Sequence, residues 1–190
     1  MVVLQGRDGQ RFRFDPGTLC LEFLLTGGEG LLAYWEQLDT ADDLACWVAA
    51  CSLGIKGEVH ADPADLPDAK RLRAAVQRLA EQAADGRDPA FEPVLNEMAA
   101  RPPLVPALGT AFERGWAEPV TCTQFLSQVA RDAIEVFGSD RVGRVRQCDS
   151  DNCLLFFLDT SRPGARRWCS MDRCGNRQKL RTRRPSRENG

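Results

Sequence analysis

The chain has 190 residues, 43% hydrophobic and 27% charged, enough to bury a core in one domain or in one domain with a small added module. No apolar run nears the ~18–20 residues that cross a bilayer, and the N-terminus MVVLQGRDGQRF lacks the basic-then-apolar layout of a signal peptide. The expectation is a cytoplasmic chain with reduced thiols and no membrane partner. The net charge of −2 hides a division: residues 1–140 carry 12 Lys and Arg against 22 Asp and Glu, whereas residues 141–190 carry 13 against 5. An acidic body with a basic tail predicts that the tail meets something anionic.

In chain order, VVLQGRDGQRFRF reads as a hairpin with Asp8-Gly9 in its turn. A buried helix is expected next, capped by Asp15, with Pro16 in its first turn and Gly27 as its stop. Thr40 opens a helix whose inner stripe is Leu44, Trp47, Val48 and Cys51, ended by Gly54. Residues 66–84 place Leu72, Val76, Leu79 and Ala83 on one face, backed by Ala69 and Ala80. Asp88-Pro89 is expected to start a further helix with Phe91, Val94, Leu95 and Met98 inward, stopped by Pro102-Pro103. LVPALGTAFERGWAEPV loses the helical period and reads as a second hairpin. Thr121 and Gln124 form a capping-box pattern before a helix that buries Phe125, Val129, Ala133 and Phe137. GSDRVG (138–143) marks the boundary, so the expected division is residues 1–140 and residues 141–190.

The second part carries the chemistry. Cys148, Cys153, Cys169 and Cys174 form two C-x4-C knuckles with fifteen residues between them. Paired soft sulfurs on a short spacer suit a closed tetrahedral zinc site, which is structural because no coordination position stays open. Cys46 and Cys51 share the spacing but sit inside a patterned helix, where residues five apart point about 140° away from each other. These two, with Cys20 and Cys122, read as small buried hydrophobes. The same geometry requires Cys169 to precede a helix and Cys174 to lie in its first turn. A short hairpin through LLFFLD and RRWC, then a helix from about Met171, would make a treble-clef-like finger. The overall expectation is an α+β chain: a mainly helical N-terminal domain with short hairpins, then this finger. The lone His60 reads as a surface residue, and no nucleophile, carboxylate or phosphate-loop constellation stands out, which places an enzyme last.

Arginine dominates the end of the chain. Arg173, Arg177, Arg181 and Arg184 stand at i, i+4, i+8 and i+11, within roughly an 80° arc of a helix. Like charges at i, i+4 repel, so this face is predicted to meet nucleic acid. Arg166 and Arg167 would help from the adjoining hairpin, and Lys179 and Arg183 could reach the flanking backbone. Arg177 also lies close to the metal, with Asp159 as a candidate partner for it or for Arg167.

The stretch RRWCSMDRCGNRQK, with FFLDTSRPGARRW before it and Cys148 and Cys153 upstream, resembles the CGNR zinc finger, named for Cys174-Gly175-Asn176-Arg177. Residues of about 12–137, through LCLEFLLT, LACWV and LRAAV, resemble the ABATE domain of bacterial proteins described as stress-induced transcription regulators; that family usually has Asn-Thr where this chain has Leu25-Thr26. The resemblance implies one zinc ion on the four cysteines and a nucleic-acid-binding role. A DNA-binding regulator is favoured, nucleoid-associated when bound. An RNA- or ribosome-binding protein, a zinc-thiolate redox sensor and a protein-interaction module are the alternatives. For the acidic body, homodimer formation and capture of a small effector both stay open.

Overall fold

The computed structural model describes residues 1–88 and 90–183, with side chains through Arg181. Strands β1 (Val2–Gln5) and β2 (Arg11–Phe14) pair antiparallel, Val2 opposite Phe14. Gly9 turns the chain at φ +76°, in the left-handed region that glycine tolerates. The alternation in Arg11–Phe14 puts Phe12 and Phe14 on one buried face.

Helix α1 (Leu19–Phe23) begins later than the sequence suggests. The Asp15 carboxylate accepts from the Gly17 N–H, closing a local turn instead of capping a helix. Asp132 supplies the cap, accepting from the Thr18 hydroxyl and from the Cys20 N–H at 2.8 Å. A 3-10 turn follows and ends at Gly27 (φ +115°), where a Cβ would stand 2.5 Å from Glu36 Cα.

Helix α2 (Ala41–Ala50) starts at a Thr40–Asp43 capping box. After the short β3 (Val59–His60) comes the 20-residue α3 (Asp65–Ala84), burying Ala69, Leu72, Val76, Leu79, Ala80 and Ala83. Inward-facing Arg73, 5% exposed, donates to the Thr26 carbonyl and to both Glu36 carboxylate oxygens at 2.9 and 2.6 Å. It ties the Gly27 loop to α3.

Helix α4 (Pro93–Ala99) corrects the sequence reading twice. It starts at Pro93, because a proline preset at the first helical position pushes Glu92 into extended backbone. Ala90 is tied to the Gln82 side chain, and Phe91 points outward, 79% exposed; Pro89 lies outside the described residues. Strands β4 (Pro106–Leu108) and β5 (Arg114–Trp116) form the second hairpin. β6 (Val120–Thr121) pairs parallel with β3 and leads through the Thr121–Gln124 capping box into α5 (Cys122–Phe137). The α3 and α5 faces close on α1, α2 and α4, with Phe23, Trp47 and Phe125 edge to face at 5.7–5.8 Å. Cys20, Cys51 and Cys122 are buried, but Cys46 is exposed, a correction: it lies on the outer side of α2.

Strand β7 (Val145–Gln147) pairs antiparallel with β8 (Phe156–Leu158). The expected pairing of LLFFLD with RRWC is therefore replaced by pairing with the segment upstream. The first knuckle serves as the hairpin loop, and RRWC is joined to it by scattered bonds and not by a strand ladder, among them Asp149 N–H to the Arg167 carbonyl and Cys169 N–H to Cys148 Sγ. β8 is buried on both sides: Phe156 and Leu158 join the main core, and Phe157 joins a second cluster with Phe12, Phe14 and three of the cysteines. A π-helical turn (Met171–Gly175) runs into α6 (Asn176–Arg183). The fold is thus α+β, a mainly helical body with paired short strands and a small C-terminal finger. Among the described residues, no helix is long and apolar enough to cross a membrane.

Candidate metal centre and its basic surroundings

Each cysteine reaches the centre by a separate local device. Cys148 leaves the end of β7, and its N–H donates to the Leu155 carbonyl; Cys153 closes the knuckle with an N–H to Ser150. Cys169 precedes the π-turn and donates its N–H to Cys148 Sγ at 3.3 Å. Cys174 lies in that turn, whose widened pitch is fixed by a Gly175 N–H to Ser170 carbonyl bond. Gly175 sits close beneath its neighbours: a Cβ there would stand 2.7 Å from Sδ of the exposed Met171, whose side chain can yield, and 3.3 Å from the Trp168 ring.

The four sulfurs lie within 4.8 Å of one another, with Cys153–Cys169 at 3.7 Å and Cys169–Cys174 at 3.5 Å. A disulfide needs ~2.05 Å. Four sulfurs at ~2.3 Å from a tetrahedral zinc stand ~3.8 Å apart, and these separations fit that set. The charge argues the same way. Hydrogen bonds from Cys153 and Cys169 draw the Cys148 thiol down to about 2, while the bond Cys153 gives to Cys148 pushes its own up to about 12, and Cys169 is pushed up too. Four sulfurs this close cannot all ionise without a cation among them.

Comparison with family models matches residues 17–140 to ABATE, described as "Putative stress-induced transcription regulator". The chain belongs to the ABATE family. Residues 144–187 match the CGNR zinc finger, so the centre is a structural zinc site. Comparison with curated proteins gave no match.

Within this ABATE chain the arginines divide. Arg166 turns inward: it donates to the carbonyls of Asp15 (2.9 Å), Trp168 (3.1 Å) and Cys169 (2.7 Å) and lies over the Phe157 ring. Burial lowers its pKa from the usual guanidinium value. Arg173 is mostly covered, stacked on Phe12 at 4.5 Å. Arg167, Arg177, Lys179 and Arg181 are exposed. Arg167 pairs with Asp149 at 2.6 Å, Arg181 with Asp151 at 2.9 Å, and Arg177 with Asp8. The Arg183 side chain and Arg184 lie outside the described residues.

Asp159 takes neither Arg177 nor Arg167 as a partner. Fully buried, it accepts from the Ser161 N–H at 2.9 Å and the Arg166 N–H at 2.8 Å, fixing the SRPG loop beneath the finger. A short acidic side chain two residues before a turn finds backbone donors nearer than any guanidinium. Sequence reasoning missed the N-terminal hairpin as part of this site. The signal was present in RFRF, whose apolar side needed cover; most of the side chains that cover it, Phe157 among them, lie over 130 residues away.

Proposed function

We propose that this ABATE chain is a nucleic-acid-binding regulator whose helical body (residues 1–140) carries a zinc-held contact surface (residues 141–190). One observation supports it above the others: exposed Arg167, Arg177, Lys179 and Arg181 gather on a finger of net positive charge, while the body is acidic. Arginine and lysine neutralise phosphates and release counterions, giving affinity with little sequence information. Duplex DNA is the preferred partner, since α6 could enter a major groove but not the narrow one of A-form RNA. Arg166 serves the fold, and the contact set is the exposed group. The experiment is binding of the zinc-loaded chain to duplex DNA and to structured RNA across salt. Binding that weakens steeply with salt supports the reading, and salt-indifferent or absent binding overturns it.

A second reading rests on Cys153. It is half-buried, unlike its three companions, and lines an open recess of about 420 Å³ with Cys148, Asp149 and Arg146. An oxidant entering there would meet a zinc-bound thiolate, and zinc ejection would unfold the finger. Peroxide-driven zinc release in step with loss of binding supports this sensor, and a site inert to mild oxidant removes it.

A further inference from the structure

Residues 1–16 precede both family matches, yet the hairpin they form is built into the finger. Phe12 and Phe14 share one buried cluster with Cys148, Cys169, Cys174 and Phe157. The hairpin's turn overhangs the π-turn, where Gln10 Nε2 donates to the Asp172 carbonyl at 3.4 Å. Two guanidinium groups from the finger converge on the tip. Arg173 reaches Asp8 Oδ1 at 3.5 Å, and Arg177 donates to Asp8 Oδ2 and, at 3.4 Å, to Gln10 Oε1. Arg173 is held ready by Phe12 beneath it and by the bare Gly6, where a Cβ would stand 2.0 Å from its guanidinium.

We propose that Arg173 and Arg177 form a seat for one phosphate of a nucleic-acid backbone, with Gln10 orienting Arg177 through its Oε1, and that Asp8 fills this seat in the free protein as an internal competitor. A carboxylate shared by two guanidinium groups has the charge sign and the oxygen spacing of a phosphate on the same forks. Asp8 reaches them from a turn that fixes it in place: its Oδ1 accepts from the Gln10 N–H at 3.2 Å. Both partners of the Arg177 pair are more than 40% exposed, and such pairs contribute little. Asp8 is therefore displaceable by a polyanion that gains counterion release, but its tethering makes it a standing competitor. The N-terminal hairpin thus sets the finger's affinity, a deepening that rests on the nucleic-acid reading above.

The test uses the full zinc-loaded chain with Asp8 intact, with Asp8→Asn, and with Asp42→Asn. Asparagine keeps the acceptor for Gln10, so the turn survives. Asp42, exposed in the first turn of α2, provides the same charge change away from the seat. Anisotropy with a labelled random-sequence duplex should show Asp8→Asn binding roughly three- to tenfold tighter, with a salt slope steeper by about 1. Asp42→Asn should leave both unchanged. Equal gains in the two variants, or none in Asp8→Asn, overturn the seat wherever the intact chain binds. Inorganic phosphate, followed on the Arg177 side-chain NMR signal, gives a readout without nucleic acid. Saturation at lower phosphate in Asp8→Asn, with no variant binding duplex, keeps the seat and removes the nucleic-acid reading. No change in either measurement removes the seat.

Discussion

The Arg166 guanidinium lies 3.9 Å from the centre of the Phe157 ring, on the strand that joins the finger to the helical body. Its remaining edges donate to three main-chain carbonyls, one of them in the segment between β2 and α1. Arg166→Ala should remove a cation–π contact and leave those carbonyls short of a donor, costing about 2–3 kcal/mol of finger stability. Arg166→Lys should recover only part, because an ammonium cannot span three acceptors in a plane. Arg167→Ala, which loses an exposed pair with Asp149, should cost about 1 kcal/mol at most. Urea unfolding of the zinc-loaded proteins orders the three; equal losses at Arg166 and Arg167 would contradict the inward role.

Zinc should hold more than its own loops. Cys148→Ser, Cys153→Ser, Cys169→Ser and Cys174→Ser should each lose the metal, whereas Cys46→Ser and Cys51→Ser should retain it. Because Phe12 and Phe14 pack on the cysteines, chelation should raise hydrogen exchange in residues 2–14 as well as beyond about 143. The amides of α3 and α5 should stay protected, since their contacts lie in the main core. Unchanged exchange in the hairpin after chelation would show that it folds independently of the finger.

Helices α2 and α5 were legible because each pairs a cap with a stripe, and α3 because its stripe is long enough to show without a cap. Thr40 and Thr121 make the capping boxes their spacing announces, and Leu72, Val76 and Leu79 face inward at helical intervals. The C-x4-C knuckles disclosed the metal centre for the same reason: sequence spacing is the local geometry. What stayed hidden was non-local. No short-range rule says that Asp132 caps α1 or that Asp8 meets Arg177 across more than 160 residues. The arginine stripe was read as a uniform helix, and the π-turn at Met171–Gly175 breaks that register before α6 begins.

Arg73 offers a test of the body's interior. It is buried with Thr26 and bridges both oxygens of Glu36. Glu36's pKa is lowered overall: burial, the largest single influence, would raise it, and the Arg73 hydrogen bond and charge, the Leu38 N–H and the charge of Lys70 together outweigh that. Removing Arg73 leaves a half-buried carboxylate unpaired and the Thr26 carbonyl short of a donor, so Arg73→Ala should destabilise by about 2–3 kcal/mol. Glu36→Gln in the Arg73→Ala background should cost far less than it does alone. Additive losses in a denaturation cycle would mean that the two side chains act separately.

Asp159 joins the finger's loop to its charge balance, and its replacement carries a pH signature. The carboxylate accepts from the N–H groups of Ser161 and Arg166 with no exposure to water. Burial alone would raise its pKa, but these hydrogen bonds and the charge of Arg144 bring it below the usual value. Asp159→Asn keeps one acceptor but turns an amide N–H toward the Arg166 N–H, donor against donor, and should cost about 2–3 kcal/mol. A group whose folded pKa is depressed gives stability that is present above its unfolded value, about 3.9, and lost as pH falls through the folded one. The gap between the native chain and Asp159→Asn should therefore stay constant from about pH 8 down to about pH 5 and close only in stronger acid. Zinc-thiolate protonation affects both proteins alike and cancels in the difference. Parallel urea titrations at four pH values measure the gap, and one that narrows near pH 7 would show a carboxyl titrating in the neutral range and refute the backbone-donor account.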